Sequence, residues 1–104
     1  LHDVVAQAAI RPARLELAPP APDPVRGAAR FSFALPVAGE VRLDLFDALG
    51  RHVRTLAAGS LPAGRYVRGW DTRDDAGRVT PAGIYLARLK GAATTATRRF
   101  VVLN

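Results

Sequence analysis

Asp71, Asp74 and Asp75 lie within one short segment, and their side chains are the ones that could most readily do chemistry. Carboxylate oxygens are the ligands that Ca²⁺ prefers, so these three residues are the candidate ligands if calcium binds. Their spacing differs from that of an EF-hand loop, and no glutamate completes the set. Asp followed by Ala76-Gly77 is also typical of tight turns, in which the carboxylate accepts backbone amides. We therefore expect turn-forming carboxylates, with no metal and no cofactor.

The other residues that could take part in catalysis are isolated in the sequence. His2 and His52 are the only histidines, and there is no cysteine. Neither histidine has a partner spaced for zinc binding or for activating a nucleophile. Ser32 and Ser60 lack the sequence context of a nucleophile elbow. We therefore expect surface histidines, no catalytic site, and a protein that is not an enzyme.

The elements that hold these residues are predicted to be β-strands. Apolar and polar residues alternate with a period of two, and clusters of Gly, Pro and Asp separate the alternating segments. In the segment 40–46, Arg42 and Asp44 are predicted to face solvent. The predicted strands are residues 14–18, 30–35, 40–46, 51–57, 65–71, 84–90 and 94–103. About seven short strands without a helix predict an all-β domain, an antiparallel β-sandwich.

Trp70 is the only tryptophan and the largest apolar side chain, so we expect the core to be built around it. Arg68 lies between Tyr66 and Trp70 on the same predicted face. Either its guanidinium stacks on an aromatic ring at the sheet margin, or a bulge at Gly69 turns it to the other face. The predicted core consists of the inward-facing residues Phe31, Phe33, Val41, Leu43, Leu45, Trp70, Tyr85 and Leu89.

Composition limits the class of protein. The chain has 104 residues, a formal charge of +6, and fourteen Arg against one Lys. These cations are spread over alternate strand positions, which indicates a solvated outer sheet face rather than a nucleic-acid surface. No apolar run approaches the roughly 18 residues of a membrane span. Because it contains no Met, the chain is expected to be a processed product or a fragment, and because it contains no Cys, it has no disulfide.

Residues 1–13 are predicted to form an extended arm or a linker ahead of the sandwich of residues 14–104. Val4, Ala6, Ala8 and Ile10 share one face of the arm if it is extended. Four prolines between residues 19 and 24 predict a stiff, extended crossover. An extended arm could add as a strand to the sheet edge of a neighbouring molecule, with these four side chains making the contacts. The alternative is a linker to another part of a longer chain.

A series of short motifs spans about residues 15–103: PDPV at 22–25, FSFALP at 31–36, VRLDLFD at 41–47, GRHVRTL at 50–56, GRY at 64–66, WD at 70–71, DAG at 75–77, PAGIY at 81–85 and TRRFVVL at 97–103. Together they resemble the immunoglobulin-like domain of the flagellar hook-capping protein family. They are also similar to C-terminal modules of secreted bacterial proteins, including sorting domains of the type IX secretion kind. The resemblance implies an antiparallel immunoglobulin-like sandwich, no enzyme activity, and a role in assembly, display or sorting outside the cytoplasm.

Three functions are compatible with these observations. The first is an extracellular structural subunit of a surface filament or coat, which assembles with copies of itself through the arm. The second is a C-terminal sorting or anchoring domain of a larger secreted protein, recognised by a secretion or attachment machinery. The third is a module that binds polyanions or carbohydrate on its Arg-rich sheet face. In each case we expect an extracellular or cell-surface location in a bacterium and no nucleic-acid partner.

Overall fold

The computed structural model describes residues 12–104, so Val4, Ala6, Ala8 and Ile10 lie outside the described residues. This range is built from strands joined by turns. The strands are β1 (Glu16–Leu17), β2 (Ala21–Arg26), β3 (Ala28–Leu35), β4 (Gly39–Asp47), β5 (His52–Leu61), β6 (Gly64–Trp70), β7 (Gly83–Lys90) and β8 (Thr95–Val102). No described segment is a helix long and apolar enough to cross a membrane.

The strands form two packed antiparallel sheets. In the three-stranded sheet, β3 lies between β1 and β6. In the four-stranded sheet, the order is β8, β7, β4 and β5. The strand β2 joins the two sheets, because it pairs antiparallel with β3 and parallel with β8 through Val25 and Val102. The predicted immunoglobulin-like β-sandwich is confirmed.

The core lies between the sheets and is organised around aromatic rings. The Trp70 ring centroid lies 6.5 Å from that of Phe31, 6.3 Å from Tyr85 and 5.9 Å from Phe100. The indole N–H of Trp70 donates to the Arg73 carbonyl at 2.9 Å, so the polar atom of this ring is satisfied. The eight residues of the predicted core are each 3% exposed or less.

Two parts of the sandwich differ from the sequence-based expectation. The proline-rich stretch, predicted to be a stiff, extended crossover, contains the strand β2. Proline lacks an N–H, but residues on either side can still pair, here Ala21 with Arg30 and Arg26 with Ala28. Asp44 points to the outer face as predicted, yet it is 3% exposed because neighbouring side chains cover it.

Arg68 stacks on aromatic rings, and β6 has no bulge at Gly69. The pairing of β6 with β3 is regular from Trp70 to Gly64. The Arg68 guanidinium carbon lies 5.6 Å from the ring centroid of Tyr66 and 5.9 Å from that of Phe33. The charged head therefore stays at the open margin of the sandwich while its stem covers aromatic surface.

The strands β6 and β7 begin with the same five-residue pattern, Pro-Ala-Gly-X-Tyr, at residues 62–66 and 81–85. In each copy the tyrosine hydroxyl donates to the carbonyl of the proline four residues earlier, at 2.6 Å. The glycines have φ of 152° and 156°, a backbone region that side-chain-bearing residues rarely adopt. In each sheet, the turn that leads into one strand is thus fixed by the same tyrosine–proline hydrogen bond.

Candidate functional site

The three carboxylates proposed as calcium ligands lie in the connection between β6 and β7, and each is engaged by protein donors. Asp74 accepts the amides of Ala76 and Arg78, both at 2.9 Å, and these bonds lower its pKa, the Arg78 amide contributing most. Asp71 accepts the Arg73 amide at 3.0 Å, which lowers its pKa in the same way. The carboxylates therefore shape the turn. Within residues 12–104, no set of His, Asp and Glu is arranged to hold a metal ion.

The same connection is fastened to the first half of β5. The Arg54 guanidinium donates to Asp71 Oδ1 at 2.9 Å and to the Arg73 carbonyl at 3.0 Å. The Asp75 amide donates to the Val53 carbonyl at 2.9 Å. The Asp75–Val53 bond occupies a backbone group on the edge of β5 and the Arg54 side chain holds the loop beside it, so the first half of this strand is covered.

His52 lies in a polar network on the outer face of β4 and β5. Its Nε2 is 2.9 Å from Asp44 Oδ1 and 3.0 Å from Thr55 Oγ1, and its Nδ1 is 3.5 Å from Asp75 Oδ2. Arg42 donates to both oxygens of Asp44, at 3.0 and 3.1 Å. The histidine predicted to be an isolated surface residue therefore links both strands to the loop.

Asp44 is the centre of this network and is ionised. Burial alone would raise the pKa of its carboxyl, but hydrogen bonds from Arg42, Thr55 and His52 outweigh burial and lower the pKa to about 2. A buried carboxylate with these donors is electrostatically satisfied. The network stabilises the β4–β5 hairpin and leaves the middle of this sheet face without an exposed acid.

The network does not form a hydrolytic site, although a hydroxyl, an imidazole and a carboxylate meet there. The Thr55 hydroxyl donates to Asp44 Oδ1 at 2.7 Å, so its hydrogen is directed at a carboxylate rather than at the imidazole. A general base would have to accept that hydrogen to activate the oxygen. The β4–β5 hairpin is recognisable in the sequence, but the register that pairs Asp44 with Thr55 is seen only in the structure. Spacing along the chain does not show this pairing.

The second half of β5, Leu56–Leu61, pairs with β4 on one side, and its outer side is an edge to which no described strand or loop is bonded. It lies on the side of the sandwich opposite β2, and β6 is the edge of the other sheet on that side. Residues 55–64 contain no charged side chain. The edge of β6, in contrast, carries Arg65 and Arg68. Charged side chains on edge strands are a common protection against pairing with another chain.

The apolar core reaches the surface between these two edges. Leu56, Leu61 and Tyr66 are partly buried and pack against the core from this side. The inward-facing positions of β5 between the two leucines are the small residues Ala57 and Gly59, which pair with Leu43 and Val41. We refer to the edge Leu56–Leu61 together with this apolar margin as the open edge.

Comparison with known proteins agrees with the architecture. The two packed antiparallel sheets define an immunoglobulin-like domain without a catalytic arrangement among the described residues. Residues 23–95 match the family model for the FlgD Ig-like domain. The chain belongs to this family. No curated protein sequence shows a significant match.

Solved structures of FlgD proteins are similar to this chain. FlgD from Xanthomonas campestris, described as giving insight into hook capping essential for flagellar assembly, is 26% identical with a TM-score of 0.58, covering 95% of this chain and 73% of that structure. FlgD from P. aeruginosa is 25% identical with a TM-score of 0.56, covering 71% of this chain and 58% of that structure. This chain therefore spans little more than half the length of the P. aeruginosa protein.

Dimeric latent PorU from Porphyromonas gingivalis shares the fold. It is 19% identical with a TM-score of 0.67, and the match covers 88% of this chain but 10% of that structure. At this identity the likeness concerns the fold alone.

Proposed function

We propose that the protein is a non-enzymatic structural module on the outside of a bacterial cell, which assembles with copies of itself by strand addition. The donated strand is the N-terminal arm, with Val4, Ala6, Ala8 and Ile10 as its contact residues. The acceptor is the open edge of the neighbouring molecule. Membership of the FlgD Ig-like domain family supports a structural role.

The observation that carries this proposal is the outer side of the second half of β5, which is uncharged and which no described segment covers. The first half of β5 is bonded to the β6–β7 connection, whereas Leu56–Leu61 pairs with β4 on one side and has neither a partner on its outer side among the described residues nor a charge. An uncharged edge with unpaired amides and carbonyls is a template for another strand. Main-chain hydrogen bonds would supply the binding, and the side-chain pattern would set the register.

The arm and the open edge match in length and in pattern. Residues 4–10 span about 23 Å when extended, and six residues of β5 span about 20 Å, at about 3.3 Å per residue. Alternate arm residues would point toward the core and cover Leu56, Leu61 and Tyr66. Small residues at Ala57 and Gly59 leave space for them. Each molecule would thus donate one strand and accept one, an open head-to-tail contact that generates filaments.

Removal of residues 1–11 tests the proposal. The truncated protein is expected to remain folded and to lose assembly, measured by size-exclusion chromatography at several concentrations and by electron microscopy. In the 104-residue chain, Ala6→Asp with Ala8→Asp should have the same effect, because charges would be placed against the apolar margin. The matched control is Ala92→Asp with Ala93→Asp, in the exposed β7–β8 turn.

The acceptor is tested separately. Leu61→Lys places a charge on the open edge and is expected to prevent assembly while the arm remains intact. Mixing this variant with either the truncated protein or the arm-charged variant should give pairs that stop at two molecules, because one molecule supplies the arm and the other supplies the open edge. Assembly of the truncated protein alone would show that the arm is not the donor.

A further inference from the structure

The outer face of the four-stranded sheet carries a second surface, distinct from the open edge. Its side chains form rows across β8, β7 and β4, fixed by the strand register. Val101 lies beside Ile84, Arg99 beside Leu86, and Leu86 beside Phe46. The next rows contain Thr97 with Arg88 and Lys90 with Arg42. We refer to these residues together as the outer face.

The exposed charges at the centre of the outer face are all positive. Arg88, Lys90 and Arg99 are exposed, and no carboxylate of residues 12–104 lies within 4.0 Å of their cationic nitrogens. Asp44, the acid in the middle of this face, is 3% exposed and is paired with Arg42 and His52. The remaining acids stand at the margins: Glu40 at the start of β4, near Ser60, and Asp75 beyond β5, against Arg54.

Apolar side chains are interleaved with these cations. Ile84 is 48% exposed and Val101 is 38% exposed, and they are direct cross-strand neighbours. Leu86 and Phe46 extend this patch as half-buried residues. The Arg88 guanidinium carbon lies 4.6 Å from the Phe46 ring centroid, so this cation is held over the ring in a fixed position.

We propose that the outer face binds an acidic surface of a partner protein, one in which carboxylates surround an apolar centre. Charge complementarity selects an acidic partner, because Arg88, Lys90 and Arg99 have no counter-ion within the described chain. Arg and aromatic side chains, here Arg88, Arg99 and Phe46, are enriched at protein interfaces. A polyanion would pair with the cations but would leave Ile84 and Val101 uncovered. A second copy is disfavoured, since it would bring the same positive face.

This surface does not depend on strand donation. The side chains of the outer face point away from the core, whereas the open edge lies along one side of the sandwich. A filament formed through the open edge would present a row of outer faces, but a single molecule carries the complete surface. Failure of the arm experiments would therefore leave this inference intact.

The test uses the full chain and three defined probes, measured by fluorescence anisotropy: an amphipathic peptide of alternating Glu and Leu, poly-glutamate of equal charge, and heparin. The peptide is expected to bind more tightly than poly-glutamate, because it matches both the charges and the apolar patch. Arg88→Glu with Arg99→Glu should weaken peptide binding by about a hundredfold, at about tenfold for each reversed charge. Ile84→Ser with Val101→Ser should weaken the peptide but leave poly-glutamate unchanged.

The charge-matched control is Arg26→Glu with Arg30→Glu, exposed residues of β2 and β3 that alter net charge equally. This control should change peptide binding by less than about threefold, an effect of overall charge alone. Equal affinity for the peptide and poly-glutamate, tighter binding of heparin than of the peptide, or equal loss in the control would each overturn the assignment. Tighter heparin binding would identify the face as a polyanion site instead.

Discussion

Trp70 connects the three-stranded sheet to the aromatic residues of the opposite sheet. It is 2% exposed, and its ring contacts Tyr85 of β7 and Phe100 of β8. Trp70→Ala is expected to lower the free energy of unfolding by about 3–5 kcal/mol, because it removes buried apolar surface and leaves a cavity. Chemical denaturation followed by circular dichroism measures this loss.

The control for Trp70 is Val67→Ala, on the same strand but 54% exposed. It should change the free energy of unfolding by less than about 0.5 kcal/mol. Equal effects of the two substitutions would mean that the core does not depend on the indole ring.

Asp44 gives a pH-dependent prediction at the scale of one residue. Its pKa in the folded protein, about 2, lies below the ordinary value of 3.8. The ionised carboxylate therefore stabilises the fold above about pH 4, and this contribution is lost as the pH falls through the folded-state pKa of about 2. Asp44→Asn should lower the free energy of unfolding by about 2 kcal/mol at neutral pH, with a smaller difference between variant and parent on acidification.

Urea denaturation at a series of pH values between 7 and 2 measures that difference. Glu40→Gln, on the same strand but exposed at its margin, is the control and should change the free energy of unfolding at neutral pH by less than about 0.5 kcal/mol. A constant difference between Asp44→Asn and the parent over this range would mean that the ionised form of Asp44 contributes nothing.

At the scale of the element, the repeated Pro-Ala-Gly-X-Tyr pattern allows a paired comparison. Burial raises the pKa of Tyr85, so its hydroxyl stays protonated and donates to the Pro81 carbonyl. Tyr85→Phe should cost about 1 kcal/mol, because a part-buried carbonyl loses its donor. Tyr66→Phe should cost less, because the Pro62 carbonyl is exposed to water. Thermal unfolding of the two variants compares these costs, and a larger effect at Tyr66 would contradict the explanation.

Strand elements were predictable where side chains alternate. Phe31 and Phe33 on β3, and Val41, Leu43 and Leu45 on β4, show the period of two directly, and the sheets bury them. The strand β2 was not predictable, because its prolines obscure the pattern and its partners lie in both sheets. The length of β5 was underestimated, since Ala58, Gly59 and Ser60 have no strong strand propensity and are held by pairing with β4.

At the scale of the whole molecule, the sequence showed residue types but not how distant segments meet. Asp44, His52 and Asp75 come from a strand, a hairpin end and a loop, and only the folded chain places them within hydrogen-bonding distance. The open edge depends likewise on which strands remain unpaired, a property of topology. The family of the domain was recognisable because its short strand and turn motifs occur in order along the chain.

The parallel pairing of β2 with β8 has a mechanical consequence. Val25 lies beside Val102, the Leu103 amide donates to the Val25 carbonyl at 2.8 Å, and the Gly27 amide donates to Asn104 Oδ1 at 2.8 Å. Since these neighbouring strands run in the same direction, tension between residues 12 and 104 pulls them past each other lengthwise. The bonds are then loaded in shear and share the force, whereas a peeling geometry would break them one at a time. The sandwich is thus built to resist stretching along its own axis.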